Sequence, residues 1–229
     1  MTIFMYALVR NLRSPVAYFL GLIVPTVLIV APANMWRSTP AAALVMLVTL
    51  MLLSANMMAA LILEDRMDGS IIKVLISPVT MVCYIFQNML ASIIPFVLQI
   101  VLLGILGLLR YNWTTGFTVG MAVVLLVCAM SSAAFAFCWN MFFKSRSNSN
   151  YTFLFFMVVM MLISGLMIPV EALPGFMQHM GAVFYAYWFV RAVAVLADYG
   201  MTVPFWLYNA IVLFFGAGFL LLGGTRRTM

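Results

Sequence analysis

Apolar residues run along this chain in blocks too long and too unbroken to be one face of a helix in water. Six of them approach or pass the roughly 20 residues that cross a bilayer as helix, at about residues 16–34, 41–63, 81–109, 118–143, 151–169 and 204–224. Strands of about ten residues with strict polar and apolar alternation are absent, so a membrane barrel is not indicated. Backbone donors and acceptors inside lipid must then be satisfied within helices. The pattern predicts an all-α integral membrane protein, a single domain over residues 1–229 with six transmembrane helices. Its polar interruptions are an N-terminal segment, 1–15, a loop, 64–80, and a region before the last span, 170–203.

Composition adds that no water-facing surface can be assembled: 67% of residues are hydrophobic, 7% are charged, and the mean hydropathy is +1.19. Charge supplies direction. With a cytoplasmic N-terminus the inner side receives Arg10, Arg13, Arg66, Lys73, Lys144, Arg146, Arg226 and Arg227, and the outer side only Arg37, Arg110 and Arg191. By the positive-inside rule both termini and the 64–80 loop face the cytoplasm. The net charge of +6 then reflects topology and contact with anionic membrane lipid, and no nucleic-acid partner is expected. The opening residues lack the pattern of a cleaved signal peptide, so the N-terminus is expected to remain on the chain.

Candidate chemistry is sparse. His179 is the one histidine, and Cys128 and Cys138 stand too far apart along a helix to bridge, about 15 Å at 1.5 Å per residue. No phosphate-cradling loop, zinc-protease motif or serine-hydrolase elbow is present. Ser131, Ser132 and Ser164 are read as packing residues before nucleophiles. Met157, Met160, Met161 and Met167 are read as apolar filler before a Cu(I) site. No metal or cofactor is expected on this chain.

The 64–80 loop differs from the rest. Glu64 and Asp65 end the second span, Gly69 breaks it, Ser70 can cap a new helix, and Ser77-Pro78 stops that helix after about two turns. Ile71, Val74 and Leu75 fall on one side of the short helix, which lies either on the membrane interface or in another protein's groove. Farther on, Pro169, Pro174 and Gly175 break the chain, and apolar residues 176–197 carry Arg191 and Asp198. They are expected to dip into the outer leaflet and return, with Glu171, His179, Arg191 and Asp198 anchoring at headgroups or serving a substrate site or proton relay.

Glu64, then Gly69-Ser70, Lys73-Val74-Leu75 and Ser77-Pro78 resemble the E-x(4)-G-[ST]-x-x-x-L-L-x-[ST]-P signature of type 2 ABC transporter permeases. Ile72 stands where a Glu is usual and Val74 replaces a Leu. Arg10 to Pro15 is similar to the basic pre-span segment of that family, and Pro25 falls where its first span often carries a proline. Ser164-Gly165, Pro169, Glu171 and Leu173-Pro174-Gly175 resemble its S-G-x-x-x-P-x-x-x-x-P stretch. Tyr185-Ala186 and Arg191 are similar to its Y-A…L-R ending, with Ala182 and Trp188 departing from it. The resemblance covers essentially the whole chain.

The resemblance implies a coupling helix formed by Gly69, Ser70, Ile71, Lys73, Val74, Leu75, Ser77 and Pro78 after Glu64, and an external re-entrant helical hairpin around Pro169, Glu171, Pro174, Gly175, Tyr185 and Arg191. It implies a non-enzymatic subunit of an ABC exporter in the cytoplasmic membrane of a prokaryote. Its partners would be a separately encoded ATPase, which binds the Mg-ATP, and a second copy or a homologous permease. The expected cargo is an amphipathic or lipophilic drug, antibiotic or antimicrobial peptide, with lipid or lipid-linked glycan as the alternative. A stand-alone channel or secondary transporter, or an intramembrane enzyme, is the alternative of another class.

Overall fold

The structure is a computed structural model that describes residues 3–13, 19–30, 36, 40–69, 81–168 and 172–225. Among the described residues every regular element is helical. An amphipathic helix α1 (Ile3–Arg13) precedes a π-helical turn (Phe19–Ile23) that continues as α2 (Val24–Val30). Then come α3 (Pro40–Met67), α4 (Met81–Leu109), α5 (Thr115–Met141) and α6 (Arg146–Ile163). The short α7 (Gly175–Gly181), α8 (Tyr185–Tyr199) and α9 (Val203–Thr225) complete the chain.

Among the described residues, four helices are long and apolar enough to cross a membrane, over Ala43–Met67, Cys83–Leu109, Thr115–Met141 and Val203–Gly224. A fifth crossing results only if α7 and α8, which meet at a bend of 100°, are counted as one span. The expected first span is described only over residues 19–30. At the expected fifth, 151–169, stands α6, which is not among the helices long and apolar enough to cross. It starts at Arg146, because the polar stretch Arg146-Ser-Asn-Ser-Asn finds partners that let it remain helical. It stops at Ile163, where Gly165 takes a left-handed φ of 86° that glycine alone adopts at little cost.

α5 is the hub, packed by α3, α4, α6, α8 and α9. Small residues at its centre, Ala129, Ser131, Ser132, Ala133, Ala134 and Ala136, are all buried and let neighbouring helices approach closely. On α9 a Cβ added at Gly216 would stand 2.8 Å from the Ser131 Oγ, and one at Gly223 would stand 3.4 Å from the Cys138 Cα. Both contacts advance along the two helices together, so α5 and α9 run parallel. By contrast Thr49 meets Met161, Asn56 meets Asn150 and Glu64 meets Arg146, so α3 and α6 run antiparallel.

Pro25 explains a further tie. It cannot donate to the carbonyl four residues earlier, that of Gly21, and the buried Gln99 of α4 donates its Nε2–H to that oxygen. At the other end of α2, the Trp36 indole donates to Leu28 O at 3.1 Å, the Tyr111 hydroxyl to Ile29 O, and the Arg110 guanidinium to Val30 O at 2.8 Å. Three carbonyls left over by the helix end are thereby paired.

Candidate coupling site

Three consecutive residues, Glu64 to Arg66, stand in the last turn of α3, and a helix turns about 100° per residue, so their side chains leave in three directions. Glu64 pairs with Arg146, the first residue of α6. Asp65 pairs with Arg10 of α1 and accepts a hydrogen bond of 2.9 Å from the Tyr84 hydroxyl of α4. Arg66 donates to the Met141 carbonyl, the last residue of α5, at 3.2 Å. Arg10 also donates to Asn88 Oδ1 at 2.8 Å, while the Phe4 amide donates to Gln87 Oε1 at 3.2 Å. One helix end therefore ties down α1, α4, α5 and α6. It closes with Asp68 N–H on Glu64 O at 2.9 Å, and Gly69 turns the chain away at φ 69°.

The two ion pairs differ in setting. Glu64 and Arg146 keep 39% and 37% of their side-chain surface exposed, against 18% and 15% for Asp65 and Arg10. Water screens the first pair, whose worth is of order 0.2–1 kcal/mol. The second is largely desolvated, so removal of one partner strands the other.

Farther into α3 the chemistry becomes neutral. Asn140 of α5 donates to Asn56 Oδ1 at 2.9 Å, and Asn56 donates to Asn150 Oδ1 of α6 at 3.0 Å. Ser149 of α6 donates to Asn140 Oδ1 at 2.9 Å, and the second Asn140 N–H goes to Ala136 O at 2.9 Å. Asn56, Asn140 and Ser149 are fully or almost fully buried. An uncharged ring of amides thus joins α3, α5 and α6 where ionised groups would be costly to bury.

Of the residues expected to couple, Glu64 and Gly69 belong to this frame. Ser70, Ile71, Lys73, Val74, Leu75, Ser77 and Pro78 lie outside the described residues, as do Pro169 and Glu171. Pro174 and Gly175 open α7, and Tyr185 opens α8. Arg191 is held by its own helix: its guanidinium donates to the Tyr187 hydroxyl at 3.2 and 3.3 Å and lies 5.4 Å from that ring's centre. His179 donates from Nδ1 to Gly175 O at 2.6 Å, and Asp198 is exposed. Apart from His179 on the Gly175 carbonyl, no hydrogen bond or ion pair joins two of these side chains among the described residues.

The serines serve packing. Ser131 donates to Val212 O at 2.8 Å, Ser132 bonds the Tyr185 hydroxyl at 3.0 Å, and Ser164 donates to Met161 O at 3.4 Å. Met157, Met160 and Met161 are core residues, and Met167 is exposed. Sequence reasoning missed Arg10, Asp65, Arg146, Asn56, Asn140, Ser149 and Asn150 as members of one frame. A signal existed for three of them, since Asn56, Asn140 and Asn150 are amides within or beside apolar runs, where an unpaired amide is penalised.

A protein-family model described as ABC-2 type transporter matches residues 1–197 of this chain. No curated protein matches it significantly.

Proposed function

Because the chain belongs to the ABC-2 type transporter family and is thus a multi-pass membrane permease subunit that works with an ABC ATPase, we propose that it is the permease of an ATP-driven exporter whose coupling element is residues 69–78. The observation that carries this reading is the frame at the end of α3. A push delivered to a loop between Gly69 and Met81 acts on Glu64 and Asp65 at one end and on Tyr84 and Asn88 at the other. Glu64 holds α6, Asp65 and Asn88 hold Arg10 of α1, and Tyr84 ties α4 to Asp65. The force therefore reaches α1, α3, α4 and α6 together.

ATP binding closes the ATPase pair, the loop is pushed, and α3 and α6 tilt with the amide ring as their shared pivot. Cargo in or near the inner leaflet then leaves outward. The cargo is an amphipathic drug, antibiotic or antimicrobial peptide, in keeping with the exposed apolar and aromatic surface, and two permease copies or a homologous pair line its path. Six crossings with both termini in the cytoplasm are part of this proposal, and the helix directions bear only on the parity between α5 and α9. If α5 and α9, which run parallel, both cross, the chain between them must return once. The antiparallel α6 makes that return, and the bent pair α7 and α8 enters and leaves on one side.

Two experiments test the reading. On a background without native cysteines, cysteines at positions 70 and 147 should label from the cytoplasm and those at 114 and 175 from outside; external labelling at 70 would end the coupling assignment. Burying a Leu is worth roughly 1.5–3 kcal/mol and a carboxylate in a dry groove costs more, so Leu75→Glu should weaken co-purification of the ATPase at least about tenfold. Unchanged co-purification with unchanged ATP-driven transport would place this segment at the lipid interface instead.

A further inference from the structure

The two halves of the bent pair lean chiefly on different bodies, with Trp188 of α8 donating to Ala182 O across the bend at 2.9 Å and Tyr187 lying beside Gly181. α7 packs on α6, and close enough that a Cβ added at Gly181 would stand 2.7 Å from the Ile163 carbonyl oxygen. α8 packs chiefly on α5 and α9. Two points fix its register. The Tyr185 hydroxyl bonds the Ser132 hydroxyl at 3.0 Å, both side chains being buried, and a Cβ added at Gly120 would press on Leu196. α8 is therefore antiparallel to α5, and Tyr185 lies about 26 Å along α5 from Thr115 at 1.5 Å per residue. The bend sits past the middle of α5.

We propose that the turn Ala182–Phe184 is an elbow that converts tilting of α6 into movement of α7, and that Tyr185 is the positioning residue that keeps α8 fixed to α5 while this happens. α6 is the helix whose start is held by Glu64 and by the amide ring, so displacement at the end of α3 travels up α6 to Ile163 and Gly181. α8 stays with the hub because Tyr185 is bonded to Ser132, with Cys128 Sγ 3.9 Å from the Ser132 Oγ, and its ring lies against Phe135 and Phe219. Phe184, inside the elbow, meets Phe156 of α6 edge-on at 5.7 Å, a contact that can slide without stranding a polar group. The coupling reading supplies only the force on α6; the separation of α7 from α8 stands on the packing.

The test uses the full-length permease alone in lipid nanodiscs, so it does not depend on any ATPase. Spin labels at Phe176→Cys and Val119→Cys report α7 against α5, and labels at Tyr199→Cys and Val119→Cys report α8 against α5. All three sites are exposed, and Cys83→Ala removes the exposed native thiol. Arg146→Ala with Asn150→Ala removes the ionic tie and the Asn56 bond at the start of α6 and should broaden the 176–119 distance distribution at least about twofold while leaving 199–119 sharp, as expected of a hinge. Tyr185→Phe, which removes one oxygen and keeps the ring, should broaden 199–119, and adding Ser132→Ala should broaden it no further. If both distances respond together to either variant, the bent pair is one rigid piece and the elbow is wrong. If neither responds, Tyr185 positions nothing and α7 does not follow α6. Failure of ATPase binding would overturn the coupling reading and leave these distances as they are.

Discussion

The end of α3 and the elbow between α7 and α8 each hold several helices at one point, with opposite chemistry. At the end of α3 the fastening is ionic and partly wet: Glu64 on Arg146, Asp65 on Arg10. At the elbow it is a hydroxyl pair, Ser132 with Tyr185, set among Phe135, Phe156, Phe184 and Phe219. Charges near water can exchange partners at small cost because water takes up what the protein releases. A hydroxyl pair in an apolar interior has no such alternative. The contrast teaches where motion is cheap: the wet pair Glu64–Arg146 can rearrange, while the largely desolvated pair Asp65–Arg10 and the dry contact at Tyr185 serve as fixed points. Between them the amide ring of Asn56, Asn140, Asn150 and Ser149 is neutral but buried, a joint that can pivot and cannot be wetted.

The strongest way to break this comparison is to damage the amide ring. Asn140→Ala removes bonds to Asn56, Ser149 and Ala136 at once, and each stranded buried group costs about 1–3 kcal/mol. Thermal stability and folded yield in detergent, followed by size-exclusion chromatography, should fall clearly. A yield and midpoint equal to wild type would mean that the ring does not hold α3, α5 and α6 together.

Next in size is Arg10→Ala, which leaves Asp65 with Tyr84 alone and removes the bond to Asn88. α1 should detach, read as faster proteolysis near residues 10–13, at a cost below the roughly 3–5 kcal/mol of a fully buried pair. Arg10→Lys should recover only part of the loss, because a single ammonium does not reproduce the two-pronged contact.

Glu64 and Arg146 sharpen the comparison from the wet side. Either alanine should change stability by no more than about 0.2–1 kcal/mol, yet lower ATP-driven transport. The exchanged pair Glu64→Arg with Arg146→Glu should restore transport toward wild type. If the exchange fails while each single variant is as poor, the pair acts through geometry that charge alone does not supply.

The smallest effect is expected at Arg191. Its contacts are with Tyr187 on its own helix, and pairs four residues apart on a helix contribute about 0.2–0.5 kcal/mol. Arg191→Ala should leave folded yield nearly unchanged and Arg191→Lys should be milder still. A collapse in yield would show an anchor beyond α8.

Block lengths and residue spacing along the chain were enough to predict an all-helical membrane protein and the break at Gly69, while the family was legible only as a motif resemblance that the match over residues 1–197 bears out. Those properties are local or nearly so. A run of about 20 apolar residues must be helical in lipid whatever surrounds it, and glycine's left-handed φ at residues 69 and 165 needs no distant partner. Tertiary structure decided the rest. The helical start of α6 at Arg146 depends on Asn56 and Asn140, which are distant in the chain and meet only through the register of three helices. Arg191 turned to Tyr187, and Asp65, one residue beyond the Glu64 singled out by motif, became the tie to α1. The depth of Tyr185 beside Ser132 was likewise set by how closely α8 settles on the small residues of α5. Hydrophobic length selects the solvent and the element, but the partner of a buried polar group is chosen by the relative rotation and height of neighbouring helices, which no single segment encodes.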